Sequence, residues 1–258
     1  MSRLKGIDIS SWQDPSKINY DLLASQIDFA ILRASYTGYG GAGDKVYPDK
    51  HFNKHYNELK KRGVKLGAYH YGCANTVAKA INEARFFISV IKDKEFEMPV
   101  YYDTEDTHHQ GKLSKSALSQ VVRAFCTTLE SEKYFCGVYA SYSWFKNHLH
   151  LDQVKRFTLW VAHWGVSVSP PSIGADIWQY TSSGKLNGYS GNLDMNWAYR
   201  DFPSLLSKGG FNNLVKKEEP KPLDIEEIKR ILQNIQIHLA AIDSLREELE
   251  DHYVFDYK

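Results

Sequence analysis

The sequence predicts an α/β fold: a (β/α)-type, TIM-like barrel with helix-poor last strands, plus a C-terminal amphipathic helix after a linker. Three observations lead there. Eight short runs rich in β-branched and aromatic residues recur up to Ala198. Helix-like segments with apolar residues at helical spacing separate the early runs, and after "CGVYAS" the gaps shorten and turn to Pro, Gly and Ser. Alternating strands and helices imply a parallel sheet, and eight strands invite closure. A doubly wound open sheet is the competing arrangement, but it would more comfortably keep helices between its late strands.

In chain order the strand-like runs are "GIDIS" (6–10), "FAILRAS" (29–35), "KLGAYHY" (65–71), "PVYYDTE" (99–105), "CGVYAS" (136–141), "TLWVAHW" (158–164), "DIWQYT" (176–181) and "LDMNWA" (193–198). Helices are expected around 20–26, 51–62, 77–91 and 116–130, whereas "SVSPPSIGAD" and "TSSGKLNGYSG" read as loops. A break follows at "SKGGFNNLVKKEEPKPLD", where hydrophobic periodicity vanishes, so a main domain is placed at 1–208, a linker at 209–223 and a helical segment at 224–258. In that segment Ile228, Ile235, Ile242 and Leu249 sit seven apart, with Leu232 and Leu239 between them and Arg246 breaking the second row. Asp224, ahead of Glu226 and Glu227, suits the helix start. A lone helix cannot bury such a stripe; it must dock on its own domain or pair with copies of itself, and the linker favours the second.

With 258 residues, 43% of them hydrophobic, the chain can bury one substantial core and carry a small appendage. A formal charge of +1 provides no basic field for nucleic acid. Cys73, Cys126 and Cys136 are odd in number and lack metal or CxxC spacing, so they read as packed thiols of a reducing cytosol. The opening "MSRLKGIDIS" leaves no room for a signal peptide, and no run is long enough to span a membrane. The expectation is synthesis in the cytosol, with any export by another route.

Side chains alternate along a strand, so Tyr101, Asp103 and Glu105 share one face, and Asp106 falls on the other as a loop cap. If that face points inward, both acids lie at the C-terminal mouth, where barrels of this type place their chemistry. Asp8 stands near the end of the first strand and Asp194 in the last, and closure makes those two strands neighbours. Acids at strand exits often cap the next loop, but four around one mouth suit glycoside hydrolysis, with a protonated carboxyl and ionised partners. Glu105, further out and longer, is the better proton donor; Asp103 can orient it or the substrate. A divalent metal is the rival use of such acids, yet His108 and His109 lie in a loop without ligand spacing, so no metal or other cofactor is expected. Trp12, Tyr69, Tyr71, Tyr139, Trp164 and Tyr180 fall at or near strand ends, where sugar rings could stack on them. Gln179 offers a two-sided amide to hydroxyl or acetamido groups, or to backbone.

The segments "GIDISSWQ", "GAYHYG", "YYDTED", "WQYTSSG" and "LDMNWA", in this order, make the chain resemble the glycoside hydrolase family 25 muramidases, lysozymes frequent among phage endolysins. The resemblance implies a flattened barrel that cleaves the β-1,4 bond between N-acetylmuramic acid and N-acetylglucosamine. It assigns Glu105 as general acid/base, with Asp8, Asp103 and Asp194 completing the site. It also implies a retaining course, in which Asp103 would steer the substrate's own 2-acetamido group; water attack with Asp8 or Asp194 as base is the other route. The expected partner is bacterial peptidoglycan, without nucleic acid or membrane insertion, reached after release from an infected cell through a pore made by another protein. The tail lacks choline-binding or LysM-like repeats, which leaves self-association or wall targeting to the helix. A non-catalytic glycan-binding barrel and a metal-dependent glycan hydrolase or deacetylase are the alternatives.

Overall fold

A closed ring of eight strands forms the centre of the structure, a computed structural model that describes residues 3–38, 44–167, 173–215 and 224–253. The first half alternates: β1 (Leu4–Ile9), α1 (Tyr20–Ala24), β2 (Phe29–Thr37), the short β3 (Val46–Pro48), α2 (Phe52–Lys60), β4 (Lys65–Gly72), α3 (Val77–Ile91), β5 (Val100–Thr104) and α4 (Lys115–Ser131). The second half runs through β6 (Cys136–Ser141), α5 (Tyr142–His148), α6 (Leu151–Val154), β7 (Thr158–Ala162), β8 (Ile177–Leu186), β9 (Tyr189–Ala198) and α7 (Phe202–Gly209), and α8 (Ile225–Tyr253) follows. The chain divides into two compact units, Met1–Lys217 and Glu218–Lys258.

All eight expected strand runs are present, and β3 is an addition, paired antiparallel on the edge of β2 outside the ring. The expectation of a parallel sheet needs correction at one strand. β1, β2, β4, β5, β6, β7 and β8 run parallel, but β9 is antiparallel to both β8 and β1 and closes the ring between them. The cause lies in "TSSGKLNGYSG", read from composition as a loop. It extends β8 to Leu186, turns at Asn187 and Gly188, and starts β9 at Tyr189, with Leu186 paired to Tyr189. A two-residue Asn-Gly turn favours a tight hairpin, and Gly188 supplies the positive φ of 96°.

Two apolar layers hold the ring. Ile7, Leu32, Leu66, Tyr102, Val138 and Val161 face outward into the helices, packing with residues such as Phe87 and Phe125. Phe29, Ile31, Met98, Tyr101, Trp160 and Ile177 fill the inside, and Phe202 and Leu206 of α7 join this inner cluster. Gly137 leaves room for that filling: a Cβ there would come within 2.4 Å of the Tyr101 ring.

The bottom of the barrel also corrects the boundary drawn at residue 208. Asn212, wholly buried at φ 56°, accepts from Phe135 N (2.7 Å) and donates to Met98 O (3.0 Å) through its side chain. Asn213 donates to Lys92 O (2.9 Å) and Lys94 O (2.8 Å). "GGFNN" therefore belongs to the barrel: short polar side chains tolerate left-handed backbone and tie two strand entrances together. The rest of the expected linker, 216–223, and the end of the helical segment, 254–258, lie outside the described residues. α8 begins as expected after Asp224, whose carbonyl accepts from Ile228 N at 2.9 Å.

Asn212→Ala removes two buried hydrogen bonds, each costing about 1–3 kcal/mol when a partner is orphaned. Thermal unfolding of this variant is expected roughly 5–10 °C below the parent, a margin consistent with a domain of this size. An unchanged melting temperature would return these residues to the linker.

Candidate active site

A cleft of about 350 Å³ opens at the C-terminal ends of the parallel strands. Asp8 on β1, Tyr69 and Tyr71 on β4, Asp103 on β5 with Glu105 just beyond it, Tyr139 on β6, Gln179 on β8 and Asp194 on β9 all line it, as do Trp12 and Trp164. The strand alternation that places Ile7 and Ile9 in the outer layer turns Asp8 inward, and the same parity turns Asp103 in between Tyr102 and Thr104. Asp8 and Asp194 are direct partners in the antiparallel β1–β9 ladder. Of the expected site residues, Tyr180 alone is elsewhere. It follows Gln179 on β8, so its side chain takes the opposite face, where it stacks on Trp197 with centroids 6.0 Å apart.

Asp8 is the centre of a buried hydrogen-bond network. Its Oδ2 accepts from Gln179 Nε2 (2.9 Å) and Asn196 Nδ2 (2.8 Å). Both amide orientations are fixed by indoles, which can only donate. Trp160 Nε1 donates to Asn196 Oδ1 (2.8 Å) and Trp164 Nε1 to Gln179 Oε1 (3.1 Å), so each amide must present its NH₂ to Asp8. Tyr139 also donates to Gln179 Oε1 (3.1 Å). The expectation that Gln179 recognises substrate is therefore revised: both ends of its amide are engaged by site side chains, and it positions Asp8.

All four acids are shifted toward their protonated forms, chiefly by burial. For Asp8 the charge of Asp194 adds to burial, with the amide donors of Asn196 and Gln179 opposing, and Asp194 is raised by burial. Asp103 is raised by burial and then by Glu105 and Asp8, with Arg33 opposing. Glu105 reaches solvent at the rim, yet crowding by protein and the charge of Asp194 push its pKa up. Asp103 lines the cleft, and its Oδ1 is buried without a hydrogen-bond partner.

Arg33, Asn196 and Trp160 escaped the sequence reading. Arg33 interrupts the apolar run "FAILRAS" at the parity of Phe29 and Ile31, which face inward. Its Nε donates to Asp49 Oδ2 at 2.8 Å and its NH2 to Ser11 Oγ at 2.7 Å, holding a cation near Asp103. Asn196 stands two residues from Asp194, the same spacing that singled out Asp103 and Glu105.

The exit of β5 is secured from outside the ring. Buried Glu83 of α3 accepts from Thr37 Oγ1, Cys73 N (3.0 Å) and Tyr102 OH (2.9 Å). Gln110 donates to Tyr102 OH (2.8 Å) and accepts from Thr104 Oγ1 (2.8 Å). Asp106 caps the following turn by accepting from His109 N (2.6 Å) and Gln110 N (3.2 Å), the loop role its parity predicts. Glu105 sits between these two anchored neighbours.

A raised acid pKa has a defined effect on stability. The folded state binds more protons than the unfolded one between the ordinary carboxylate value, about 4, and the raised value, so stability falls as pH rises through that window. Asp103→Asn removes this penalty. Its melting temperature is expected to exceed the parent's by a few degrees at pH 7, with the gap closing as pH falls below about 4, where Asp103 becomes protonated in both states. Calorimetry across pH checks this; a variant less stable at pH 7 would contradict it.

Comparison with known proteins agrees with this geometry. Residues 7–189 match the model of the glycosyl hydrolases family 25. The autolytic lysozyme of Clostridium acetobutylicum is 31% identical over 194 residues, which cover 74% of this chain and 55% of that protein. This chain thus matches little more than half the length of that relative. The lysozyme of Streptomyces coelicolor superposes with a TM-score of 0.66 at 26% identity, covering 83% of this chain and 99% of that one. The catalytic domain of the endolysin ply40, from a phage of Listeria monocytogenes, gives 0.63 at 28% identity, covering 80% and 97%. On the family match across most of the barrel, the chain belongs to the glycosyl hydrolases family 25.

Proposed function

We propose that this chain is a peptidoglycan N-acetylmuramidase, a lysozyme that cleaves the β-1,4 bond between N-acetylmuramic acid and N-acetylglucosamine and lyses bacterial cells as a phage endolysin. The observation that carries the reading is the set of four buried or crowded carboxyls around one cleft, with Glu105 at its rim and raised in pKa. Glu105 donates its proton to the glycosidic oxygen as the bond to the anomeric carbon breaks. Asp103 lines the cleft, and its carboxylate accepts from the N–H of a 2-acetamido group, which aims the acetamido oxygen at the anomeric carbon. Arg33 favours the ionised Asp103 that this contact needs. Asp194, opposite Asp8 at the cleft, faces the positive charge that develops on the sugar ring. Trp12, 76% exposed, and Trp164, 52% exposed, offer faces at the edge of the cleft for neighbouring sugars.

The substrate partner is bacterial peptidoglycan, and the reaction as written uses no cofactor. Among the described residues no helix is long and apolar enough to cross a membrane. The reading includes action on the wall after release from the host cell. It further assigns α8 to self-association, which would let several barrels hold one polymeric substrate and gain avidity.

Glu105→Gln keeps shape while removing the acid. Turnover of purified walls, followed by turbidity, is expected to fall about 10²–10⁴-fold, with wall binding retained. Parent digests should carry new muramic acid reducing ends. New glucosamine ends would assign a different bond, and full activity in the variant would remove Glu105 from its role.

A further inference from the structure

The self-association reading leaves open how two helices meet, and the sequence of α8 constrains that. Written as heptads, Ile225, Leu232, Leu239 and Arg246 occupy position a, while Ile228, Ile235, Ile242 and Leu249 occupy d. The apolar members of these rows are 40–69% exposed. We propose that α8 pairs antiparallel with α8 of a second copy of this chain; this rests on the self-association reading and adds orientation and register to it.

Charge decides the orientation. At the start of the helix Glu226 and Glu227 are balanced by Lys229 and Arg230, whereas from Asp243 onward the acids Asp243, Glu247, Glu248 and Glu250 outnumber Arg246. A parallel pair gathers eight of these acids at one end and sets Arg246 against Arg246 across the seam, where like charges repel. An antiparallel pair moves the two acidic ends apart and opposes the two macrodipoles favourably.

Register follows from the seam. With Ile235 set against Leu239 of the second copy, Leu232 meets Ile242 and Ile225 meets Leu249 on each side of the twofold centre. Arg246 then lies against Ile228, one turn from the second copy's Asp224. The flanking positions agree. On one flank Ile231 faces Leu245, joining two exposed apolar residues, and on the other Lys229 faces Asp243. A parallel pair would instead place Ile231 beside Gln236 and Leu245 beside Glu250, apolar against polar. The antiparallel arrangement also puts the two helix starts, from which the barrels are tethered, at opposite ends of a rod about 43 Å long for 29 residues.

The test uses the full chain. Light scattering at micromolar concentration is expected to show multiples of two chains. Leu232→Cys and Ile242→Cys are made singly and together, with the parent, whose three cysteines are buried, as control. Under mild oxidation the double variant should form a covalent dimer on a non-reducing gel, and neither single variant should. A link within one chain is excluded, since the two positions lie about 15 Å apart along the helix and a disulfide needs Cα atoms within about 7 Å. A monomer by light scattering overturns self-association altogether. A covalent dimer from Leu232→Cys alone leaves self-association standing and overturns the antiparallel pairing. A non-covalent dimer that none of the variants links overturns the register.

Discussion

The structure depends on one rung of one ladder: Asp8 opposite Asp194 where β1 meets β9. Two carboxylates facing each other in a buried site cannot both ionise cheaply, so the pair holds a proton between them. Two amide N–H groups converge on Asp8 Oδ2 and favour its ionised form, partly offsetting the rise that burial and the charge of Asp194 impose. An antiparallel β9 is what makes the rung possible. Run parallel, the strand would present the opposite sequence direction to β1, and Asp194, near its middle, would no longer share a register with Asp8 while Asn196 reached the same carboxylate.

Such a site opposes folding, and the rest of the barrel offsets the cost. The inner cluster beneath the cleft is aromatic and fully packed, with Trp160 edge-on to both Tyr69 and Tyr101. The same Trp160 holds Asn196 by its indole N–H, so the apolar plug and the polar network share a residue. On the outer side, Glu83 is buried with every near neighbour a donor, which fixes β5 against α3 through Tyr102. Stability is thus concentrated around the acids, as preorganised electrostatics requires. A loose strand exit would let Glu105 swing and lose its defined place at the rim of the cleft.

How much of this was legible depended on which periodicity carried the signal. Period two along β5 placed Asp103 and Glu105 together, and ring closure placed Asp8 beside Asp194, both without coordinates. The same rule, applied to "LDMNWA", points at Asn196, and applied to "FAILRAS" it points at Arg33; the polar residue at inward parity was the available clue. It also rejects Tyr180, since adjacent residues cannot both line one face with Gln179. The hairpin was hidden for another reason. Ser, Gly and Lys have low strand propensity, and "TSSGKLNGYSG" forms strands because β8 and β9 complete each other's backbone hydrogen bonds, a tertiary gain that composition does not register. Asn212 was read as linker because glycine and asparagine mark both flexible segments and left-handed caps.

Gln179 illustrates why a site residue's role follows from its complete set of partners. Its amide joins Trp164 and Tyr139, on the wall of the cleft, to Asp8 at its floor. A sugar stacked on the face of Trp164 leaves the indole N–H in the ring plane, still donating to Gln179. Binding there therefore holds the indole in the rotamer that keeps the amide turned toward Asp8. Because an indole nitrogen has no acceptor capacity, the amide has only one satisfied orientation. The aromatic wall and the acidic floor of the cleft are in this way parts of one hydrogen-bonded unit, and the wall does more than supply apolar area: through one amide it fixes a donor on Asp8 Oδ2.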